Sequence, residues 1–139
     1  QLINTWEFRW PLNTLARDRD VNGLSEAMRR RLSEAERMSV DDYRAGLERR
    51  TQARATYHEL TAEADVALTL SAPGEAPAGI TSGTGNPIFA VPGSLLGVPA
   101  LSLPLLSCHG LPLGVQVLGF TNRDAALFAA ASWIVDATT

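Results

Sequence analysis

Between Leu24 and Met38 the apolar residues Leu24, Ala27, Met28, Leu32, Ala35 and Met38 recur at steps of three and four, with arginine and glutamate between them. That spacing predicts an amphipathic helix. Ser39 and Asp42 then stand three apart, the spacing of a capping box, and predict the start of a second long helix carrying Tyr43, Leu47, Ala53, Tyr57 and Leu60. Ahead of both, Trp6, Phe8 and Trp10 alternate with Glu7 and Arg9 up to Pro11. A period of two predicts a short strand or extended arm there, with its aromatics packed against other parts of a protein.

The pattern changes after Ala64. Asp65 to Leu70 is a short apolar segment, predicted as a buried strand and stopped by Pro73-Gly74. A loop rich in glycine and proline runs to Pro87; its Thr81-Ser82-Gly83-Thr84-Gly85-Asn86 lacks the Lys-Ser/Thr ending of a phosphate loop. Ile88 to Leu96 reads as a short helix or turn, broken at Gly97-Val98-Pro99. Ala100 to Leu106 and Leu111 to Gly119 read as two strands of a hairpin joined through Ser107-Cys108-His109-Gly110, with prolines that belong at sheet edges or bulges. A last helix, capped by Thr121 or Asn122, carries Leu127, Phe128, Ala131, Ile134 and Val135, and its alanine-rich face permits close packing on a sheet. The expected class is α/β: residues 1–64 mainly helical, residues 65–139 strands, loop, hairpin and final helix, with the break at 65 a change of layer within one domain.

Composition narrows the chemistry. All 12 basic residues are arginine, so lysine bases and Schiff-base lysines are excluded from this chain. The formal charge of -3 and the acidic residues interleaved with Arg29-Arg30-Arg31 and Arg49-Arg50 leave no basic footprint for nucleic acid. No apolar run approaches a membrane span, and the lone Cys108 has no internal disulfide partner, which fits a cytoplasmic setting. Cys108-His109 at a hairpin tip lacks the enclosing pocket of a thiol enzyme, and with His58 and His109 the only histidines no four-ligand metal motif is present. His58 reads as a surface histidine. No metal site, cofactor or complete catalytic set is expected.

Gly97-Val98-Pro99-Ala100-Leu101-Ser102-Leu103-Pro104, followed by Gly110-Leu111-Pro112-Leu113-Gly114-Val115-Gln116, closely resembles the C-terminal part of amidase signature family enzymes. Thr84 to Phe89, Asp124 to Leu127, Trp133, Ser39 to Tyr43 and Ala64 to Thr69 extend the likeness over nearly the whole chain. The resemblance, which takes in amidases and glutamine-hydrolysing amidotransferase subunits, implies helices packed on part of a mixed β-sheet and hydrolysis of a carboxamide to an acid and ammonia or an amine. It implies a serine nucleophile, a relaying serine and a lysine base, none of which has a counterpart here, so no catalytic residue is carried over. Thr84, Asn86 and Phe89 are the implied substrate-binding residues. In the family's amidotransferases an aspartate precedes that phenylalanine by two places; Pro87 here points to a less polar or differently charged substrate.

The expected partners are an N-terminal catalytic portion and a small-molecule amide, with no nucleic acid or membrane, and a homo-oligomer is compatible with the sequence. Starting at Gln1 without a signal pattern, the chain reads as part of something longer and inactive alone. The alternative is a truncated, non-catalytic binding or assembly module.

Overall fold

The computed structural model describes residues 2–79 and 85–138. Its internal contacts divide the chain into two compact units, residues 1–52 and 53–139.

In the first unit, helix α1 spans Leu2–Asp18, α2 spans Glu26–Arg37, and α3 begins at Val40 and runs to Glu59, crossing the border between the units. The extended arm is therefore corrected to a helix. Its buried stripe is Thr5, the half-buried Arg9, Leu12 and the half-buried Ala16, a helical spacing concealed by a threonine and an arginine where apolar residues would have announced it. Residues two apart on a helix point about 200° from one another, so the aromatics separate. Trp6 stacks on Tyr43 at 5.5 Å, Phe8 lies under the Arg31 guanidinium at 3.9 Å, and Trp10 stays 82% exposed. Pro11 sits inside the helix, where its ring nitrogen has no hydrogen for the Glu7 carbonyl.

Helix α2 forms as its spacing predicts, with Ser25 as cap and Leu32 and Ala35 buried. Arg31 donates to Asn4 and Asn13 donates to Glu36, tying α1 to α2.

The capping box at α3 is complete. The Asp42 amide donates to Ser39 Oγ at 3.1 Å, and the Asp42 carboxylate accepts from the Ser39 amide at 2.9 Å and from its hydroxyl at 2.7 Å. These bonds favour the charged carboxylate and hold its pKa below the ordinary value of 3.8. A depressed carboxylate pKa contributes stability above the unfolded value and loses it as pH falls through the folded one. The stability gap between the native chain and Asp42→Asn should accordingly be constant near neutrality and close on acidification, followed by helical circular dichroism. A gap that grows in acid would contradict the box.

In the second unit, β1 (Ala67–Leu70), β2 (Ala100–Cys108) and β3 (Leu111–Leu118) form a three-stranded sheet in the order β1-β3-β2, antiparallel throughout. The hairpin turn is His109-Gly110, both with positive φ (50° and 80°), the signature of the tight turn that matches strand twist. The prolines sit where a missing N–H costs little. Pro104 falls in the register shift between Leu103 and Leu106, and Pro112 lies beyond the four β3 residues, Val115 to Leu118, that pair with β1.

Ahead of the hairpin, a 3-10 turn at Pro87–Phe89 leads into the short helix α4 (Val91–Leu96), which Gly97 ends in the left-handed conformation. Helix α5 (Asp124–Thr138) begins later than the predicted cap, because Asn122 occupies a left-handed turn position with φ 61°.

One face of the sheet is packed under α5, while the other leaves Ala100, Ser102 and Pro104 of β2 exposed. Val117 on one face packs with Leu127 and Ile134 of α5, flanked by Val66, Leu101, Leu103 and Leu105. On the other face a Cβ added at Gly93 of α4 would just touch Leu118 and Ala100, so the glycine sits close to the end of the sheet. At the end of β3, Phe120 is buried against Tyr57, whose hydroxyl donates toward the carbonyls of Leu118 and Gly119 at 3.3 and 3.2 Å. Phe128 of α5 is exposed.

Candidate functional site

Of the residues expected to line a substrate pocket, Asn86 and Phe89 lie at the entrance to α4. Thr84 falls outside the described residues. Asn86 is exposed and its side-chain oxygen accepts from the Ile88 amide at 3.0 Å, which caps the 3-10 turn. Phe89, in the same turn, is half-buried. The structure thus places Asn86 and Phe89 three residues apart on one turn and gives Asn86 a backbone task.

Two other features were not apparent from the sequence. A groove of about 490 Å³ is lined by Asp65, Val66 and Leu68 on one side and Ala126, Ala129, Ala130, Trp133 and Ile134 of α5 on the other. Trp133 is 71% and Leu68 58% exposed beside it, an arrangement that leaves large apolar surface in water. The signal in the sequence is the alanine-rich face of α5, which is equally compatible with close packing on a sheet. The second is a polar line across the sheet, where Thr69, Gln116 and Ser102 occupy paired positions on neighbouring strands. Ser71 Oγ lies 2.6 Å from Ser102 Oγ, while the buried Gln116 Oε1 accepts from no protein group among the described residues.

At the hairpin tip, Glu75 arrives from the segment after β1 to join Cys108 and His109. His109 Nδ1 is 3.0 Å from Glu75 Oε1 and 3.6 Å from Cys108 Sγ. The Glu75 carboxylate beside the thiol pushes the Cys108 pKa up, and the interaction with Cys108, followed by its own amide and His109, holds Glu75 down. A thiol held protonated is a poor nucleophile. A relay is also ruled out by geometry, since carboxylate and thiol both face the same imidazole nitrogen, whereas base catalysis with an orienting carboxylate uses one nitrogen for each. Reading the tip as Cys108 and His109 alone missed Glu75, which is 33 residues away in sequence from Cys108.

No helix among the described residues is long and apolar enough to cross a membrane. The chain contains no lysine, so the base that the family resemblance implies has no counterpart in it.

No family model matches the chain. It is similar to a glutamyl-tRNA(Gln) amidotransferase subunit from Wolbachia sp. subsp. Drosophila simulans, 48% identical over 50 residues that make up 35% of this chain and 10% of the relative. With the corresponding protein of Rhizorhabdus wittichii it shares 43% identity over 70 residues, 45% of this chain and 14% of the relative. A crystallised amidase superposes on 99% of the chain with a TM-score of 0.78 at 23% identity, the chain spanning 36% of that structure. A bacterial aryl acylamidase of the amidase signature family superposes on 88% with a TM-score of 0.66 at 17% identity, over 29% of its length. The chain thus spans about a third of these solved structures and a smaller part of the sequence relatives; it is similar in sequence to part of the amidotransferase subunits and in fold to part of the amidase signature enzymes.

Proposed function

We propose that this chain is the supporting C-terminal segment of an amide hydrolase that converts a carboxamide to a carboxylic acid and ammonia or an amine. The observation that carries this reading is the likeness to amidase signature enzymes in a chain devoid of lysine. A hydrolase of that kind needs a serine nucleophile, a lysine base to take its proton, and donors for the oxyanion. In this reading all three come from the portion of the enzyme outside these residues.

The chain's own contribution is structural and steric. Among the described residues each outer strand of its sheet has an unpaired edge, and the groove between α5 and the start of β1 exposes Trp133 and Leu68. Unpaired strand edges and large apolar surface are costly in water and are relieved by docking against further structure. Thr84, Asn86 and Phe89 remain the proposed lining of the pocket on the acyl side, with Asn86 shaping the turn that presents Phe89. Pro87, two places before Phe89, removes a carboxylate that would select an α-amino-acid amide, so the proposed substrate is less polar or differently charged. The proposed setting is cytoplasmic.

The 139-residue chain by itself is expected to release no ammonia from simple carboxamides, and production together with the protein segment encoded immediately upstream is expected to restore release. A chain-specific activity without that segment, or an upstream segment devoid of both lysine and a glycine- and serine-rich stretch, overturns the proposal.

A further inference from the structure

We propose that Glu75, Cys108 and His109 form a binding site for a divalent transition metal ion of the zinc class, with three protein donors and solvent in the fourth position. The three ligand atoms all lie within 4.8 Å of one another. Tetrahedral zinc bonded to sulfur at about 2.3 Å and to nitrogen or oxygen at about 2.0–2.1 Å sets its ligands roughly 3.3–3.6 Å apart. The observed separations, 3.6 Å from Sγ to Nδ1 and 3.0 Å from Nδ1 to Oε1, are close to that spacing.

The backbone explains how adjacent residues come to share a ligand set. Successive side chains of a strand point to opposite faces, so Cys108 followed by an extended His109 would diverge. His109 instead takes a left-handed conformation, φ 50°, and its ring turns back beside the thiol. Glu75 is delivered by the segment that leaves β1, whose first residue is anchored by the Ser71 amide donating to the Gly114 carbonyl at 2.8 Å and by the Ser71–Ser102 hydroxyl pair.

The donor set also selects the ion. A thiolate, an imidazole and a carboxylate suit Zn²⁺ and its neighbours, whereas Mg²⁺ and Ca²⁺ favour oxygen alone. Without a metal, the three groups are held together by protons, Glu75 accepting from the Cys108 thiol and from His109. A cation accepts lone pairs from all three.

Cys108 is the chain's single cysteine, so any sulfur-to-metal charge-transfer band reports this site alone. Titration of the 139-residue chain with Co²⁺ is expected to raise such a band, saturating at one ion per chain and bleached by Zn²⁺. Cys108→Ser should abolish the band. Glu75→Gln and His109→Ala should each weaken binding by about tenfold or more, the scale on which even outer-shell partners act at metal sites. His58→Ala should leave it unchanged. A second measurement needs no variant: alkylation of Cys108 by iodoacetamide should slow when Zn²⁺ is added and recover with a chelator. Absence of the sulfur band at excess Co²⁺, unweakened binding in Glu75→Gln and His109→Ala, or an alkylation rate indifferent to Zn²⁺ overturns the site.

Discussion

Phe120→Ala is expected to destabilise residues 53–139 by about 3–5 kcal/mol, the range for truncating a fully buried aromatic. Phe120 is 2% exposed and sits where β3 leaves the sheet, with its ring 5.1 Å from that of Tyr57. Removing it takes away apolar burial and leaves a cavity beside the Tyr57 hydroxyl, which donates toward the Leu118 and Gly119 carbonyls. Tyr57→Phe supplies a graded comparison, deleting only that hydroxyl at about 0.5–1.5 kcal/mol. Both are read from the midpoint of urea unfolding at unchanged slope. A loss for Phe120→Ala no larger than that of Tyr57→Phe would remove Phe120 from its place as an anchor of the unit.

Gly114→Ala has the next largest expected effect, about 1–3 kcal/mol, from overpacking. A Cβ at Gly114 would fall 2.5 Å from Ser71 Oγ and 2.9 Å from Ser71 Cβ, and against Ser102 Oγ. Serine is too short to swing clear while its hydroxyl bonds across the gap, so the strands or the hydroxyl pair must give way. Ser102→Ala in the same chain should recover part of the loss, because it removes the nearest obstructing atom. Gly74→Ala is the control, since an added Cβ there meets nothing within 4 Å. Equal unfolding midpoints for Gly114→Ala and Gly74→Ala would contradict the close approach of the two serines.

These two residues show how differently important positions announce themselves. Gly114 belongs to the Gly-Leu-Pro-x-Gly-x-Gln run that carries the family resemblance, and the structure supplies its reason, space on β3 for two hydroxyls that meet from either side of it, Ser71 just past β1 and Ser102 on β2. Phe120 lies outside any strand or helix, and neither periodicity nor motif points to it. The same division runs through the candidate site. Asn86 is singled out by resemblance and is found capping a turn, whereas Glu75, in a loop with no motif, completes the only group of three clustered metal-ligating side chains among the described residues.

What the sequence determined by itself was everything that depends on near neighbours. The Ser39–Asp42 box, the stripe of α2, the left-handed glycine at the hairpin and the proline at the bulge each follow from interactions a few residues long, so spacing alone exposes them. The absence of lysine needed no structure at all. Tertiary structure decided the conformation of α1, where Trp6 gains Tyr43 and Phe8 gains Arg31 only once the helices pack, and it left Phe128 and Trp133 facing outward from α5. It also brought Glu75 to Cys108 and His109. The physical reason is the same in each case: burial and side-chain convergence are set by partners distant in sequence, and the cost of leaving an aromatic exposed or a donor unmatched emerges only when the surface opposite it is known.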